Sequence, residues 1–230
     1  MAEIVPVPGF SEPFSSLSHF AGALVFAAFS MPLILRGRGS GSRITSLAVF
    51  SAATIMLLTI SGLYHLLNPD GSARAVVRRL DHAAIFVLIA ASFTPVLMIL
   101  FRGKSRWITL LIIWSYAVVA IVFKMCYFNE IPKQLGLMLY LLMGWIGLYP
   151  GIVICRRYGF HFVKPVLWGG IAYSLGGIME SFHWPVMVPG VVQWHEVFHV
   201  AVLIGLGFHW AFAFAIADGQ PHLCREGLPT

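Results

Sequence analysis

Three histidines have the residue type and spacing that bind a metal ion. His195 and His199 are four residues apart, so on a helix their side chains share one face. His65 ends an earlier apolar segment, and alternating membrane helices would bring it to the same side of the membrane. Three protein ligands and one open position are usual for catalytic zinc, and three imidazoles suit zinc better than calcium or magnesium. We therefore predict a zinc site built from His65, His195 and His199.

Two further residues could take part in chemistry at this site. Asp81 lies at the start of the third apolar segment, and Ser61 precedes His65 by one helical turn. Zinc lowers the pKa of a bound water from about 15.7 to about 7, and Asp81 could accept the proton that this water loses. Ser61 could hold His65 or Asp81 in place through a hydrogen bond. Asp81 and Ser61 are therefore the candidate catalytic residues.

Other ionisable residues fall on the same side, and the sequence leaves their roles open. A single histidine inside a membrane usually only hydrogen-bonds to a neighbouring helix, although three that converge with an aspartate are harder to explain in this way. His19 could touch the site, and Glu180 and His183 could support a ligand or gate a substrate. His82 is expected to pack at the membrane interface.

The segment His195 to His199 also reads as HExxH, the motif of zinc proteases in which the glutamate is the general base. In a membrane span this motif would indicate an intramembrane protease. Glu196, however, lies about 100° around the helix from His195 and need not face the metal. A glutamate at a helix start also interacts favourably with the helix dipole. Both interpretations of Glu196 stay open.

The elements that position these residues are long apolar segments. The chain has 230 residues, of which 59% are hydrophobic and only 10% are charged, whereas soluble domains carry about 25% charged residues. The apolar runs are continuous rather than alternating and approach the roughly 20 residues of a membrane helix. We predict an all-α polytopic membrane protein, one domain over residues 1–230, with seven transmembrane helices at about 17–35, 44–67, 83–101, 107–128, 135–154, 166–184 and 195–217.

The formal charge of +6 informs topology more than partners. The basic residues lie mostly in short loops between apolar segments, and no nucleic-acid partner is predicted. Ten of the fifteen Lys and Arg residues fall on the side of the C-terminus and five on the side of the N-terminus. Because basic loops stay in the cytoplasm, this count predicts that the N-terminus and the histidine site face outwards.

Three motifs in order resemble one known family. Ser61 to His65 resembles the SxxxH motif of the progestin and adipoQ receptor (PAQR) family, which includes the bacterial hemolysin III proteins. Arg79 to Phe86, running on to Thr94-Pro95, resembles its LDHxxIf…TP segment, and His195 to His199 matches its HxxxH motif. Ser18-His19 resembles the threonine-histidine start of the first span. The resemblance covers residues from about 15 to 217.

This resemblance implies a seven-helix fold with zinc bound by His65, His195 and His199 and with Asp81 beside the reacting water. The alkaline ceramidases, which cleave a lipid amide, are similar in these groups. The resemblance therefore implies a ceramidase-like zinc hydrolase of lipid amides or esters in a bacterial inner (plasma) membrane, with a membrane lipid as possible substrate. A non-enzymatic receptor or pore-forming protein with structural zinc stays open. The similar adiponectin receptors have a cytoplasmic N-terminus, contrary to the charge count.

Overall fold

The computed structural model describes residues 4–221 as a bundle of α-helices, with only two isolated β-bridges in that range. The helices are α1 (Pro13–Arg36), α2 (Gly41–Leu66), α3 (Ser72–Leu100), α4 (Gly103–Cys126), α5 (Lys133–Trp145), α6 (Leu148–Tyr158), α7 (Phe160–Phe182) and α8 (Trp194–Ile216).

Six segments of the described chain are long and apolar enough to cross a membrane: α1, α2, α3, α4, α8, and α5 with α6 as one broken span, Lys133–Tyr158. Helix α7 also has a spanning length of 23 residues, although it is not among these six and contains Lys164, Glu180 and four glycines. Large apolar side chains such as Leu24, Leu111 and Val119 lie exposed on the outside of the bundle. These features confirm an integral, multi-pass, all-α membrane protein.

Several helix ends differ from the predicted spans. Helix α3 begins at Ser72 rather than near residue 83, so Asp81 lies more than two turns inside this helix and not at its start. Helix α7 begins at Phe160 rather than near residue 166. Hydropathy marks where apolar residues begin, whereas alanine and arginine extend a helix equally well into polar surroundings. The chain turns between α6 and α7 at Gly159, whose φ of +88° favours glycine.

The fifth predicted span is two helices. Helix α5 ends at Trp145, and α6 starts at Leu148 after a tight turn through Ile146 and Gly147. Pro150 lies in the first turn of α6, where its missing N–H leaves no hydrogen bond unmade. The break therefore follows from the local sequence.

Helices α7 and α8 approach each other closely through small residues. A Cβ added at Gly176 would lie 2.6 Å from the Cβ of Ala201, and one at Gly205 would lie 2.6 Å from the ring of Tyr173. In a membrane, such small residues allow the backbone contact that replaces a solvent-driven hydrophobic effect. Helix α8 also packs against α1, and α2 packs against both α1 and α3. The start of α8 is thereby fixed beside the end of α2.

Candidate metal centre

The three predicted ligands meet at one end of the bundle. His65 lies in the last turn of α2, and His195 and His199 lie in the first two turns of α8. One ligand atom from each lies within 4.8 Å of the others. The Nε2 atoms of His65 and His195 are 3.2 Å apart, and the rings of His65 and His199 are almost fully buried. This cluster can hold a metal ion.

Two carboxylates contact the far nitrogens of the cluster. Nδ1 of His65 lies 2.5 Å from Oε2 of Glu12, and Nδ1 of His195 lies 3.2 Å from Oε2 of Glu180. An ionised carboxylate only accepts hydrogen bonds, so each Nδ1 must donate. In a neutral ring this leaves the lone pair on Nε2. Carboxylates that hold metal-binding histidines in this tautomer are common around zinc.

The two Nε2 lone pairs then face each other across 3.2 Å, an arrangement that needs a cation or a shared proton between them. Two nitrogens bound to tetrahedral zinc at about 2.0–2.1 Å lie about 3.3 Å apart. The separation of His65 and His195 and their tautomers therefore fit zinc. Nδ1 of His199 has no hydrogen-bond partner in the described part of the chain.

Glu12 connects the cluster to a buried arginine. Its second oxygen, Oε1, accepts a hydrogen bond from Nη2 of Arg74, and Nη1 of Arg74 donates to the carbonyl of Leu67 at 2.5 Å. Burial alone would raise the pKa of Glu12, but hydrogen bonds and charge interactions with His65 and Arg74 outweigh it and lower the pKa from 4.5 to about 2. Glu12 therefore stays ionised and can accept the proton of Nδ1.

Asp81 and Ser61 lie together beside the histidines. Both are buried, and the Ser61 side chain interacts with the Asp81 carboxylate. Asp81 also interacts electrostatically with His195. Ser61 thus contacts Asp81, one of the two partners that the sequence allowed for it. The pair lines the same cavity as the histidines.

His19 lies directly against the cluster. Its ring stacks on that of His199, with centroids 3.8 Å apart and an angle of 9° between the planes. It is 3% exposed, and neither of its nitrogens has a hydrogen-bond partner among residues 4–221. A ring stacked in this way packs against a ligand rather than sharing its metal.

Glu196 is used as a helix cap. Its Oε2 accepts a hydrogen bond from the backbone N–H of Gln193 at 2.9 Å, and its Oε1 accepts one from the Ser15 hydroxyl at 2.8 Å. The first of these belongs to a capping box at the start of α8. These contacts hold Glu196 between α8 and α1, and it does not line the cavity.

Two other histidines do not join the cluster. His183 ends α7 in the left-handed conformation and packs edge-on against Trp194. Nδ1 of His82 lies 2.8 Å from the carbonyl oxygen of Arg78, and its ring packs edge-on against Phe128.

The cluster opens into a large, mostly apolar cavity of about 710 Å³. Its deeper walls come from apolar residues of α3, α5 and α8, among them Ile85, Leu88, Ile89, Phe93, Leu137 and Val202. Trp145, Leu148 and Ile152 also line it and are about half exposed on the outside of the bundle. The cavity therefore reaches the apolar outer surface beside the break between α5 and α6.

Sequence reasoning missed three charged residues near the cluster, the partly buried Glu12 and the buried Arg74 and Lys124. A usable signal was present for Glu12, because the chain has only nine acidic residues and this one directly precedes a membrane helix. Ionisable groups at such positions need a reason. Arg74 and Lys124 enter the sequence analysis only through the count of basic residues on each side. Arg74, predicted in a loop, lies within α3, and Lys124 lies near the end of α4, inside the predicted fourth span.

Comparison with known proteins gives consistent results. The sequence model of the family described as "Haemolysin-III related" matches residues 10–210. The chain is 29% identical to "Hemolysin-3" of Bacillus cereus over 79% of this chain and 82% of that protein. It is 31% identical to "Hemolysin-3 homolog" of Bacillus subtilis (strain 168) over 71% of this chain and 77% of that protein. It is 24% identical to "Heptahelical transmembrane protein 1" of Arabidopsis thaliana over 93% of this chain and 71% of that protein. The Bacillus relatives are consistent with a bacterial inner membrane.

Proposed function

Since this chain belongs to the haemolysin-III related family, we propose that it is a zinc-dependent membrane hydrolase of lipid amides or esters. The observation that carries the proposal is the histidine cluster at the end of an apolar cavity. The cluster has three imidazoles, two of them oriented by carboxylates, and the cavity reaches the outer surface of the bundle. An acyl chain could enter there and bring its carbonyl group to the histidines.

The residues of the chain have separate tasks in this proposal. His65, His195 and His199 hold the metal, and Glu12 and Glu180 fix two of the rings through their Nδ1 atoms. Zinc held there would polarise the carbonyl group and supply hydroxide at neutral pH. Asp81 accepts the proton of the attacking water and passes it to the leaving group as a general base and acid. Ser61 lies beside Asp81 and orients its carboxylate.

The substitution Asp81→Asn tests this function. It keeps the size of the side chain but removes the proton acceptor, so we expect turnover of a ceramide or another lipid amide to fall by roughly 10²–10⁴-fold. Zinc content should stay near that of the unmodified protein, because the three imidazoles are intact. Asp218→Asn, at the other end of the bundle, is the matched control and should keep full activity. Full turnover by Asp81→Asn would contradict the mechanism.

The names of the two Bacillus relatives, "Hemolysin-3" and "Hemolysin-3 homolog", support a second candidate, a membrane-lytic protein in which the metal is structural. In that case His195→Ala lowers the thermal stability, no lipid is hydrolysed, and the purified protein releases dye from lipid vesicles. The hydrolase predicts the converse. Mass spectrometry should detect lipid products, and any release of dye from the vesicles should stop in the inactive variant Asp81→Asn.

An intramembrane protease, the third candidate, requires Glu196 as general base. The capping contacts of Glu196 give that function no support.

A further inference from the structure

A buried lysine shares the cavity with the histidine cluster. Lys124 lies in the last turn of α4, is 7% exposed, and lines the cavity together with Asp81. Asp81 interacts electrostatically with both His195 and Lys124. The ammonium group therefore lies near Asp81, in the same cavity as the histidines.

A structural explanation for Lys124 is incomplete. A lysine near a helix C-terminus interacts favourably with the helix dipole, and a lysine near a membrane surface usually extends its ammonium group to water. This side chain instead points inwards. No carboxylate among the described residues lies within 4 Å of its Nζ, since the described ion pairs involve other residues. A buried charge without a close partner costs free energy, which indicates that something else balances it.

The surroundings hold the ammonium group in place. Nζ donates a hydrogen bond to the hydroxyl of Tyr140 at 2.8 Å, and that hydroxyl donates to the carbonyl of His82 at 3.1 Å. Gly136 leaves space on the other side, because a Cβ there would lie 2.7 Å from Nζ. An ammonium group has three donors, and Tyr140 uses one of them. The remaining donors are available to an anion in the cavity.

We propose that Lys124 binds an acid group of the ligand, so that the cavity selects lipids with one apolar chain and an anionic headgroup, a carboxylate or a phosphate. The apolar walls along Leu88, Phe93 and Leu137 take the chain, and Lys124 takes the acid group. The inference rests on the proposed function, because it names the substrate class of the same cavity. A substrate would then carry its acid group beside the bond that the histidine end cleaves.

A binding measurement tests this inference without requiring hydrolysis. N-oleoylglycine and N-oleoylethanolamine share the acyl chain and the amide and differ in the carboxylate. Lysophosphatidic acid and monoolein form the corresponding phosphate pair. Their dissociation constants are measured by native mass spectrometry on the full chain in a non-ionic detergent. We expect at least one anionic lipid to bind about ten-fold more tightly than its neutral counterpart.

Lys124→Met should abolish this preference and leave the affinity for the neutral lipid unchanged. Gly136→Ala, which keeps the charge but displaces the ammonium group, should weaken the preference. Lys104→Met removes an exposed lysine at the other end of the bundle and should keep it.

Equal binding of anionic and neutral lipids by the unmodified protein would overturn the inference, as would a preference that survives Lys124→Met. Displacement of the lipid by millimolar acetate or inorganic phosphate would overturn the lipid part and identify a free anion as the ligand. Failure of hydrolysis alone would count against the proposed function and not against this binding site.

Discussion

The two ends of the helix bundle differ in how far their charged residues are buried. At the end that carries the histidine cluster, Arg74, Asp81 and Lys124 are buried and Glu12 is partly buried, and all four contact other polar side chains or the cavity. At the other end, Arg36 and Asp218 form an exposed ion pair at 3.0 Å. Exposed pairs contribute about 0–1 kcal/mol, whereas buried charges are costly unless paired. The histidine end therefore holds several charges away from water, and the other end keeps this ion pair near water.

Two arginines at the other end of the bundle donate hydrogen bonds to backbone carbonyl groups. Arg157 donates to the carbonyl of Leu100 at 3.0 Å, and Arg106 donates to the carbonyl of Phe101, both at the C-terminus of α3. They satisfy carbonyl groups that a helix end leaves without partners. Such residues explain topology and helix termination, and they indicate no site.

Burial of a histidine alone does not make a metal site. His209 is in the half of α8 away from the cluster, packs edge-on against Tyr173 and has an Nε2 atom without a hydrogen-bond partner in the described chain. His195 differs because Glu180 orients it and two other histidines surround its Nε2. His195 therefore differs from His209 in having a carboxylate and two further imidazoles close to its ring.

The largest expected difference between the two ends is the side of the membrane that each faces. With Cys126, Cys155 and Cys224 changed to serine, Ser72→Cys reports on the histidine end and Ser42→Cys on the other. The distribution of basic residues predicts that a membrane-impermeant maleimide labels Ser72→Cys in intact bacteria and leaves Ser42→Cys unlabelled. The reverse pattern would show a cytoplasmic site, as in the adiponectin receptors that this chain resembles.

Removing the ion-paired arginine at each end of the bundle should lower the free energy of unfolding by different amounts. Arg74→Met leaves Glu12 without its buried partner, and we expect a loss of about 3–5 kcal/mol. Arg36→Met breaks the exposed pair with Asp218 and should cost about 0–1 kcal/mol. Thermal unfolding in detergent measures both. Equal losses would show that the Arg74 pair is not the buried interaction described here.

The carboxylates behind the histidines should control metal affinity. Glu180→Gln keeps the shape of the side chain but weakens the hydrogen bond to His195, so zinc affinity should fall about 10–100-fold. Competition with a chelator of known affinity measures it, and Asp218→Asn is the control. Unchanged affinity in Glu180→Gln would mean that Glu180 does not orient a ligand.

The smallest effect is expected at Glu196. Glu196→Gln disturbs the cap of α8 and should lower stability by about 1 kcal/mol, with turnover changed by less than about three-fold. Lipid hydrolysis and thermal unfolding measured on the same preparation separate the two effects. A loss of turnover as large as that of Asp81→Asn would restore Glu196 as a candidate general base, the role that the HExxH motif gives it.

The sequence predicts the order of the membrane segments because most of them are long apolar runs, and six of the described segments are long and apolar enough to cross a membrane. It does not predict that α3 starts at Ser72, since hydropathy is insensitive to a helix that continues through polar residues. The grouping of the three histidines is foreseeable from spacing and from the alternation of spans, as is the presence of Ser61 and Asp81 on the same side, but the partner of Ser61 is not. The contact of Glu12 with His65 joins residues 53 positions apart, and only the packing of α1 against α2 brings them together.

Metal content tests the central claim most directly. The purified full chain is compared by mass spectrometry with the triple variant His65→Ala, His195→Ala, His199→Ala and with the control His209→Ala. We predict about one zinc ion per chain in the unmodified protein and in the control, and none in the triple variant. A folded, unmodified protein that holds no zinc even after zinc is offered would contradict the account.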